Sequence, residues 1–198
     1  LHTLNELRGH EELIKVYDTF LQRHEEDVDA LPLKSDLPFY ASLAYYARKD
    51  YPRTIELLTE AIELSPDFDG YYGNRALTYD DTKQYSLALA DYAKAMQLAP
   101  KDPLHPYNRG VTWLHMQEYQ KAFDDFSTAR KLGKDDSEIW VNLGVAEERL
   151  GHDWLALTAY DRALKLDADN ALARANRATL LREQGKNETA DRDTAFVS

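Results

Sequence analysis

The stretches "YYGNRALTY" (71–79), "PYNRGVTWL" (106–114), "WVNLG" (140–144) and "LARANRATL" (172–180) place Asn74, Asn108, Asn142 and Asn176 at intervals of 34 residues. Arg follows the Asn as Arg75, Arg109 and Arg177, and Leu143 holds that place in the third stretch. A fixed period of this length decides the architecture, because one supersecondary unit is being stacked on copies of itself. The period continues in Pro66 and Pro100, which close "EAIELSP" and "KAMQLAP", and in the matching "TARKLGK" and "RALKLDA". Cutting at this interval gives 35–68, 69–102, 103–136 and 137–170, with a partial unit or capping helices over 171–198. Residues 1–34 read as an N-terminal helix or a degenerate repeat. In "GHEELIKVYDTFLQRH", Leu13, Ile14, Tyr17 and Leu21 share one helical face.

Within each unit, apolar residues recur three and four apart, the spacing of amphipathic helices. In 69–102, Tyr72, Ala76 and Tyr79 mark one helix, and Tyr85, Ala88, Leu89, Tyr92, Ala95 and Met96 mark the next. Small residues return where helices must approach: Ala76, Ala88 and Ala95, then Gly110, Ala122 and Ala129, then Gly144, Ala156 and Ala163. Large rings return between them at Tyr92, Phe126 and Tyr160. Facing large and small residues is what a close-packed helix stack requires.

These residues, at this spacing and ending in Pro, resemble the tetratricopeptide repeat (TPR) family from residue 35 to about 196. The resemblance implies an all-α fold, a right-handed solenoid of stacked antiparallel helix pairs, and a role in protein–protein interaction. Departures concentrate late in the chain. Glu147 and Asp153 stand where the family has aromatics, and Lys134 and Ala168 replace the closing Pro. Arg174, Asn187 and Thr194 occupy large-residue positions of the last unit.

An acid lies sixteen residues after each Arg: Asp91, Asp125 and Asp193. Where Leu143 replaces Arg, Ala159 replaces the acid, and 35–68 carries Ala41 and Leu57. Charge is present at both positions or at neither. This co-occurrence predicts structural ion pairs between the two helices of a unit, Arg75 with Asp91, Arg109 with Asp125 and Arg177 with Asp193.

Each Asn is offset from that Arg position by one residue, a rotation of about 100° round the helix. In a stack, this direction is the concave face formed by the first helices. An amide both donates and accepts, so an Asn row can satisfy the backbone of an extended peptide. Superhelical TPR arrays, including that of O-GlcNAc transferases, use such a ladder, so the resemblance implies the same role; inherited scaffold is the other reading of these Asn residues. The expected groove comprises Phe39, Tyr40, Leu43, Asn74, Leu77, Tyr107, Asn108, Val111, Asn142, Val145 and Asn176. Leu104 and Val141 add to its apolar lining, and Asp36, Asp80, Asp81, Glu138 and Glu148 flank it. Four net hydrogen bonds supply about 2–6 kcal/mol, and each buried apolar side chain adds about 1.5–3 kcal/mol. Selectivity is therefore expected at Phe39, Tyr40 and Tyr107; the other reading makes some of these core, or covered by the N-terminal helix. "YGNRA" is similar to the middle repeat of dicarboxylate clamps that hold chaperone tails. The basic residues such a clamp needs are replaced by Phe39, Leu43, Leu104 and Asn108, which argues against that function.

Composition sets the outer limits. The chain has 198 residues, 43% of them hydrophobic, enough for a sizeable core. No apolar run reaches membrane-spanning length; "FYASLAYYA" is the longest and is broken by polar groups. There is no Cys and hence no disulfide or thiolate site. A net charge of −11 disfavours nucleic acid and anionic membranes and favours an apolar or basic protein segment as partner. The cytoplasm is the favoured compartment, with a periplasmic or exported location after loss of a leader as the alternative. His2, His10, His24, His105, His115 and His152 are scattered without metal-ligand spacing. "GKNET" lacks the first Gly of a phosphate loop and reads as a turn. The expectation is a protein without catalysis, metal or cofactor that binds a peptide or helix in its groove. The alternative is a scaffold or self-association module acting through its end faces, where Ala195, Phe196 and Val197 would pack on a further copy.

Overall fold

The computed structural model describes residues 11, 12, 14, 15, 17, 19 and 36–194. Among these the regular structure is helical: α1 Asp36–Ala47, α2 Tyr51–Leu64, α3 Asp69–Asp81, α4 Tyr85–Leu98, α5 Leu104–His115, α6 Tyr119–Lys131, α7 Ser137–Arg149, α8 Asp153–Leu166, α9 Ala171–Glu183 and α10 Asn187–Thr194. This is the all-α solenoid class expected from the periodicity. The chain forms two compact units, Leu1–Pro100 and Lys101–Ser198. In the first, α1 packs on α2, α2 on α3 and α3 on α4. In the second, each of α5–α9 packs on the next helix in the chain. None of the described helices is long and apolar enough to cross a membrane.

The turns inside the pairs repeat one geometry. In the α3–α4 turn, Lys83 N–H donates to the Asp80 carbonyl at 2.8 Å and Gln84 N–H to the Tyr79 carbonyl at 2.7 Å. This is a Schellman cap, which needs a left-handed residue just past the helix. Lys83 supplies it at φ 61°, as do Lys49 at 61° and Gln117 at 62°; Gly151 and Gly185 do so at 81° and 75°. The start of α7 is fixed by Asp136, which accepts from Ile139 N–H at 3.0 Å, and that of α9 by Asn170, which accepts from Ala173 N–H at 2.9 Å.

The core consists of rings seated in small residues. Tyr92, Phe126 and Tyr160 are fully buried, and so are Ala76, Ala88, Ala95, Ala122, Ala129, Ala156 and Ala163. A Cβ at Gly110 would lie 2.6 Å from Phe126 Cε1, and one at Gly144 would lie 2.5 Å from Tyr160 Cε1. Glycine is required at both places because the ring occupies the space of a methyl group. Burying each ring stabilises the pair by about 1.5–3 kcal/mol.

Of the N-terminal face, Ile14 and Tyr17 are buried, while Leu13 and Leu21 lie outside the described residues. Tyr17 packs on Ala41 and Leu57, flanked by Leu37 and Tyr45, and its phenol donates to Glu60 Oε2 at 3.2 Å. It therefore covers the Ala41–Leu57 side of the α1–α2 pair. Val141, expected in the groove lining, is instead core: it is 2% exposed and packed on Ala163 and Ala173. Asn142 is the next residue along α7 and is half-buried, and the rotation of about 100° between them puts the two on different faces.

Candidate functional site

The expected Arg and Asp partners meet in the structure. Arg75 on α3 donates from Nε to Asp91 Oδ2 at 2.7 Å and from Nη2 to Oδ1 at 2.9 Å, a bidentate fork. Its Nη1 donates to Thr59 on α2 at 3.0 Å, so one guanidinium ties three helices. Arg109 forms the same fork with Asp125 at 2.7 Å through both nitrogens. Arg177 forks onto Asp193 and also reaches Asp161 on the preceding helix. Hydrogen bonds to Asp91, Asp125 and Asp193 hold these guanidiniums above their ordinary pKa, outweighing the downward pull of burial. In each clamp the Nε and Nη2 groups of the Arg are spent on the Asp carboxylate inside the helix pair.

The Asn residues lie on the first helices and are all half-buried. They differ in their partners. Asn74 Nδ2 donates to the Gly70 carbonyl one turn back at 2.7 Å. Asn142 Nδ2 donates to Tyr107 Oη at 2.9 Å. Asn176 sits beside the Tyr160 phenol, which itself donates to Glu148 Oε2 at 2.7 Å. Among the described residues, the Asn108 amide has no hydrogen-bond partner. An amide has two N–H donors and a carbonyl. Asn74 and Asn142 are each oriented by one N–H, which leaves the other N–H and the oxygen outside these bonds.

The apolar members divide between the two units. In the first, Phe39 is anchored by Tyr71 at 5.1 Å, Phe68 at 6.1 Å and Tyr40 at 5.5 Å between ring centroids. Tyr40 is 51% exposed and Phe68 47% exposed, while Leu43 and Leu77 are half-buried. Phe68 was missing from the expected set because it precedes α3 and carries no helical periodicity. In the second unit, Tyr107 is sandwiched: Phe126 lies 5.8 Å away, and Lys134 Nζ sits 4.2 Å over the ring. Lys134 is held by Asp136 at 2.7 Å and Glu138 at 3.3 Å. Burial, then the Glu138 charge, pushes the Tyr107 phenol well above its usual pKa, so it is a neutral donor and acceptor. Tyr107 thus orients Asn142 more than it offers an open face. Val111 is half-buried on α5. Val145 lines an open cavity of about 210 Å³ with Leu114, His115, Gln117, Tyr119 and Arg149. Sequence spacing did not single out this cavity, since a turn supplies two of its walls.

The descriptions of known families and folds agree with this geometry. Models of the tetratricopeptide repeat match residues 70–102, 137–170 and 159–192. No curated protein matches. Among solved structures, MamA from Desulfovibrio magneticus RS-1 is 16% identical, with a TM-score of 0.75 over 82% of this chain and 92% of that one. A tetratricopeptide repeat protein from Parabacteroides merdae is 20% identical, with a TM-score of 0.75 over 96% of this chain and 79% of that one. YrrB, a TPR protein described as having an unusual peptide-binding site, is 16% identical, with a TM-score of 0.67 over 91% and 89%. At these identities the structural likeness speaks for the fold, and the repeat models speak for the family: the chain carries tetratricopeptide repeats over residues 70–102 and 137–192.

Proposed function

We propose that, within each unit, the first-helix faces hold an extended segment of a partner protein, its backbone read by the Asn amides and its side chains seated on neighbouring apolar groups. The coarse role, a protein-interaction module, follows from the repeat family. The observation that carries the finer reading is the division of labour along the first helices. The Arg of each clamp is forked onto an Asp of its own helix pair, whereas Asn108 has no amide partner among the described residues and Asn74 and Asn142 are oriented with polar capacity left over. Asn is a mediocre helix former, so the four first helices α3, α5, α7 and α9 carry it at a cost in propensity. The cavity beside Val145 supplies a place for one side chain, and Arg149 at its edge favours an acidic or carbonyl group there. Near Phe39 and Tyr40 the surface is aromatic and favours an apolar group. The peptide site described for YrrB supports this fold as a platform for such binding.

The test is Asn108→Ala combined with Asn142→Ala, both on helices of the second unit. Peptides selected from a random display library on the unaltered chain should bind the double variant roughly 5- to 150-fold more weakly, as two lost hydrogen bonds imply. Far-UV circular dichroism and the unfolding midpoint should stay close to the parent. Equal peptide affinity in a folded double variant removes the Asn reading. Concentration-dependent dimers in light scattering, with no peptide selected, replace it with self-association.

A further inference from the structure

We propose that a second pocket, enclosed by α6, α7 and α8, is a subsite for the phenol of a tyrosine side chain presented by a partner. The pocket has a volume of about 190 Å³, with Phe123, Trp140, Leu143, Leu155 and Ala159 among its walls and Glu147 and Arg130 as its charged groups. This is smaller than the roughly 300–1,000 Å³ of a site for drug-sized molecules, and it suits a single ring. It lies away from the Asn face: Leu143, Glu147 and Trp140 are rotated by roughly 100–160° round α7 from Asn142.

Three coincident changes open this hollow. Leu143 and Ala159 stand at the positions of the Arg109 and Asp125 clamp, so neither fork partner fills the space between α7 and α8. Glu147 stands where the preceding pairs carry Tyr45, Tyr79 and Trp113, so a carboxylate replaces a ring. The result is an apolar chamber with one buried acid. Glu147 is 8% exposed, and its Oε2 lies 2.7 Å from His152 Nδ1. A carboxylate accepts at two oxygens, and a buried one is stabilised by a further donor.

The chain itself shows what fills a clampless pair. The α1–α2 pair also lacks the Arg and Asp, with Ala41 and Leu57 in their places. There Tyr17, from the segment preceding α1, packs on those same two residues, is 3% exposed, and donates its phenol to Glu60. A ring on the pair of small apolar residues, with its hydroxyl on a carboxylate, is thus an occupancy this fold already uses. In the α7–α8 pair, Phe123 and Trp140 wall the same apolar floor, and among the described residues no phenol donates to the Glu147 carboxylate. Arg130 closes one side, stacked 4.7 Å over the Trp140 indole, and it tolerates a neutral phenol where it would repel a cation.

The experiment titrates the full chain with p-cresol, toluene and N-acetyltyrosinamide and follows the assigned Trp140 indole N–H by NMR. p-Cresol and N-acetyltyrosinamide should shift that resonance saturably, and p-cresol should bind at least roughly tenfold more tightly than toluene, the gain of a hydrogen bond to a charged acceptor. Glu147→Met should bring p-cresol down to the toluene level. Leu143→Arg with Ala159→Asp, which rebuilds the clamp in the hollow, should abolish binding of all three. p-Cresol binding no more tightly than toluene overturns the proposal, as does an unsaturable response of the unaltered chain. Uptake of p-cresol with refusal of N-acetyltyrosinamide overturns the peptide source. If Glu147→Met fails to fold, the p-cresol to toluene ratio and the rebuilt clamp decide the matter.

Discussion

The α3–α4 and α7–α8 pairs have the same turn, the same seated ring and opposite solutions at one position. In α3–α4 the two helices are tied by the Arg75–Asp91 fork, with side chains only 16% and 11% exposed. In α7–α8 the same two places are Leu143 and Ala159, and the chamber they leave holds Glu147. Yet both pairs pack a fully buried tyrosine, Tyr92 or Tyr160, between their helices. The comparison teaches that the fork is interchangeable as a source of stability. A desolvated ion pair gains back in attraction about what it loses in hydration, so apolar residues can take its place. What is not interchangeable is half a fork, which explains why Arg and Asp enter and leave the sequence together.

The largest effect follows from that asymmetry. Asp91→Ala strands the Arg75 guanidinium against Tyr72 and Tyr79 and should cost about 3 kcal/mol. Arg75→Met combined with Asp91→Ala makes α3–α4 resemble α7–α8 and should recover at least about 1 kcal/mol of that loss. Urea unfolding of the two variants measures the difference. Equal losses in the single and double variants would break the comparison at its root, because the fork would then be a net source of stability that α7–α8 simply lacks.

A middle-sized effect concerns the ring. In α3–α4 the residue under Tyr92 is Ala76, whereas in α7–α8 the residue under Tyr160 is Gly144. The ring has moved into the space of a methyl group, as Phe126 has over Gly110 in the clamped α5–α6 pair, so this difference is independent of the fork. Gly144→Ala would place a Cβ 2.5 Å from Tyr160 Cε1 and 2.7 Å from Cδ1, and the fully buried ring has no free direction to move. We expect a loss of about 1–3 kcal/mol from overpacking. The reverse change, Ala76→Gly, should cost only about 0.5–1 kcal/mol, from backbone entropy in a helix. Thermal melting of both variants sharpens the comparison: similar losses would mean that the rings are equally close to their helices.

These pairs also show what could be read without coordinates. The helix pairs and the Arg–Asp partners were legible because each leaves a signal at fixed spacing, and the forks follow from two charges that are never found apart. The rotation of each Asn away from its Arg position is legible from helix geometry, but the partners of its amide are not. That Asn74 donates to Gly70 and Asn142 to Tyr107 depends on rotamers that no spacing records. The spacing places Tyr107 in the groove, but it does not show that Lys134, at the place of a closing Pro, lies over the ring. Val141 was assigned to the groove because it is apolar and adjacent to an Asn, although one residue of rotation places it in the core. The chamber at Glu147 is the hardest case, since it arises from three replacements, two on α7 and one on α8.

The smallest effect isolates the turn. Lys83 and Gly151 hold the same left-handed position in the same hydrogen-bonded cap, at φ 61° and 81°. An L-residue there carries a backbone penalty of about 1–2 kcal/mol, and glycine avoids it while losing more entropy on folding. Lys83→Gly should therefore stabilise α3–α4 by less than about 1 kcal/mol. Gly151→Lys should destabilise α7–α8 by about 1 kcal/mol. No atom lies within 4 Å of a Cβ built on Gly151, so the new side chain meets only solvent and the change reads the backbone alone. A melting temperature lowered by Gly151→Lys and raised by Lys83→Gly would show that the two pairs share their turn energetics and differ only in the tie between helices. A large loss from Gly151→Lys with no gain from Lys83→Gly would mean that the clamped pair absorbs turn strain which the clampless pair does not.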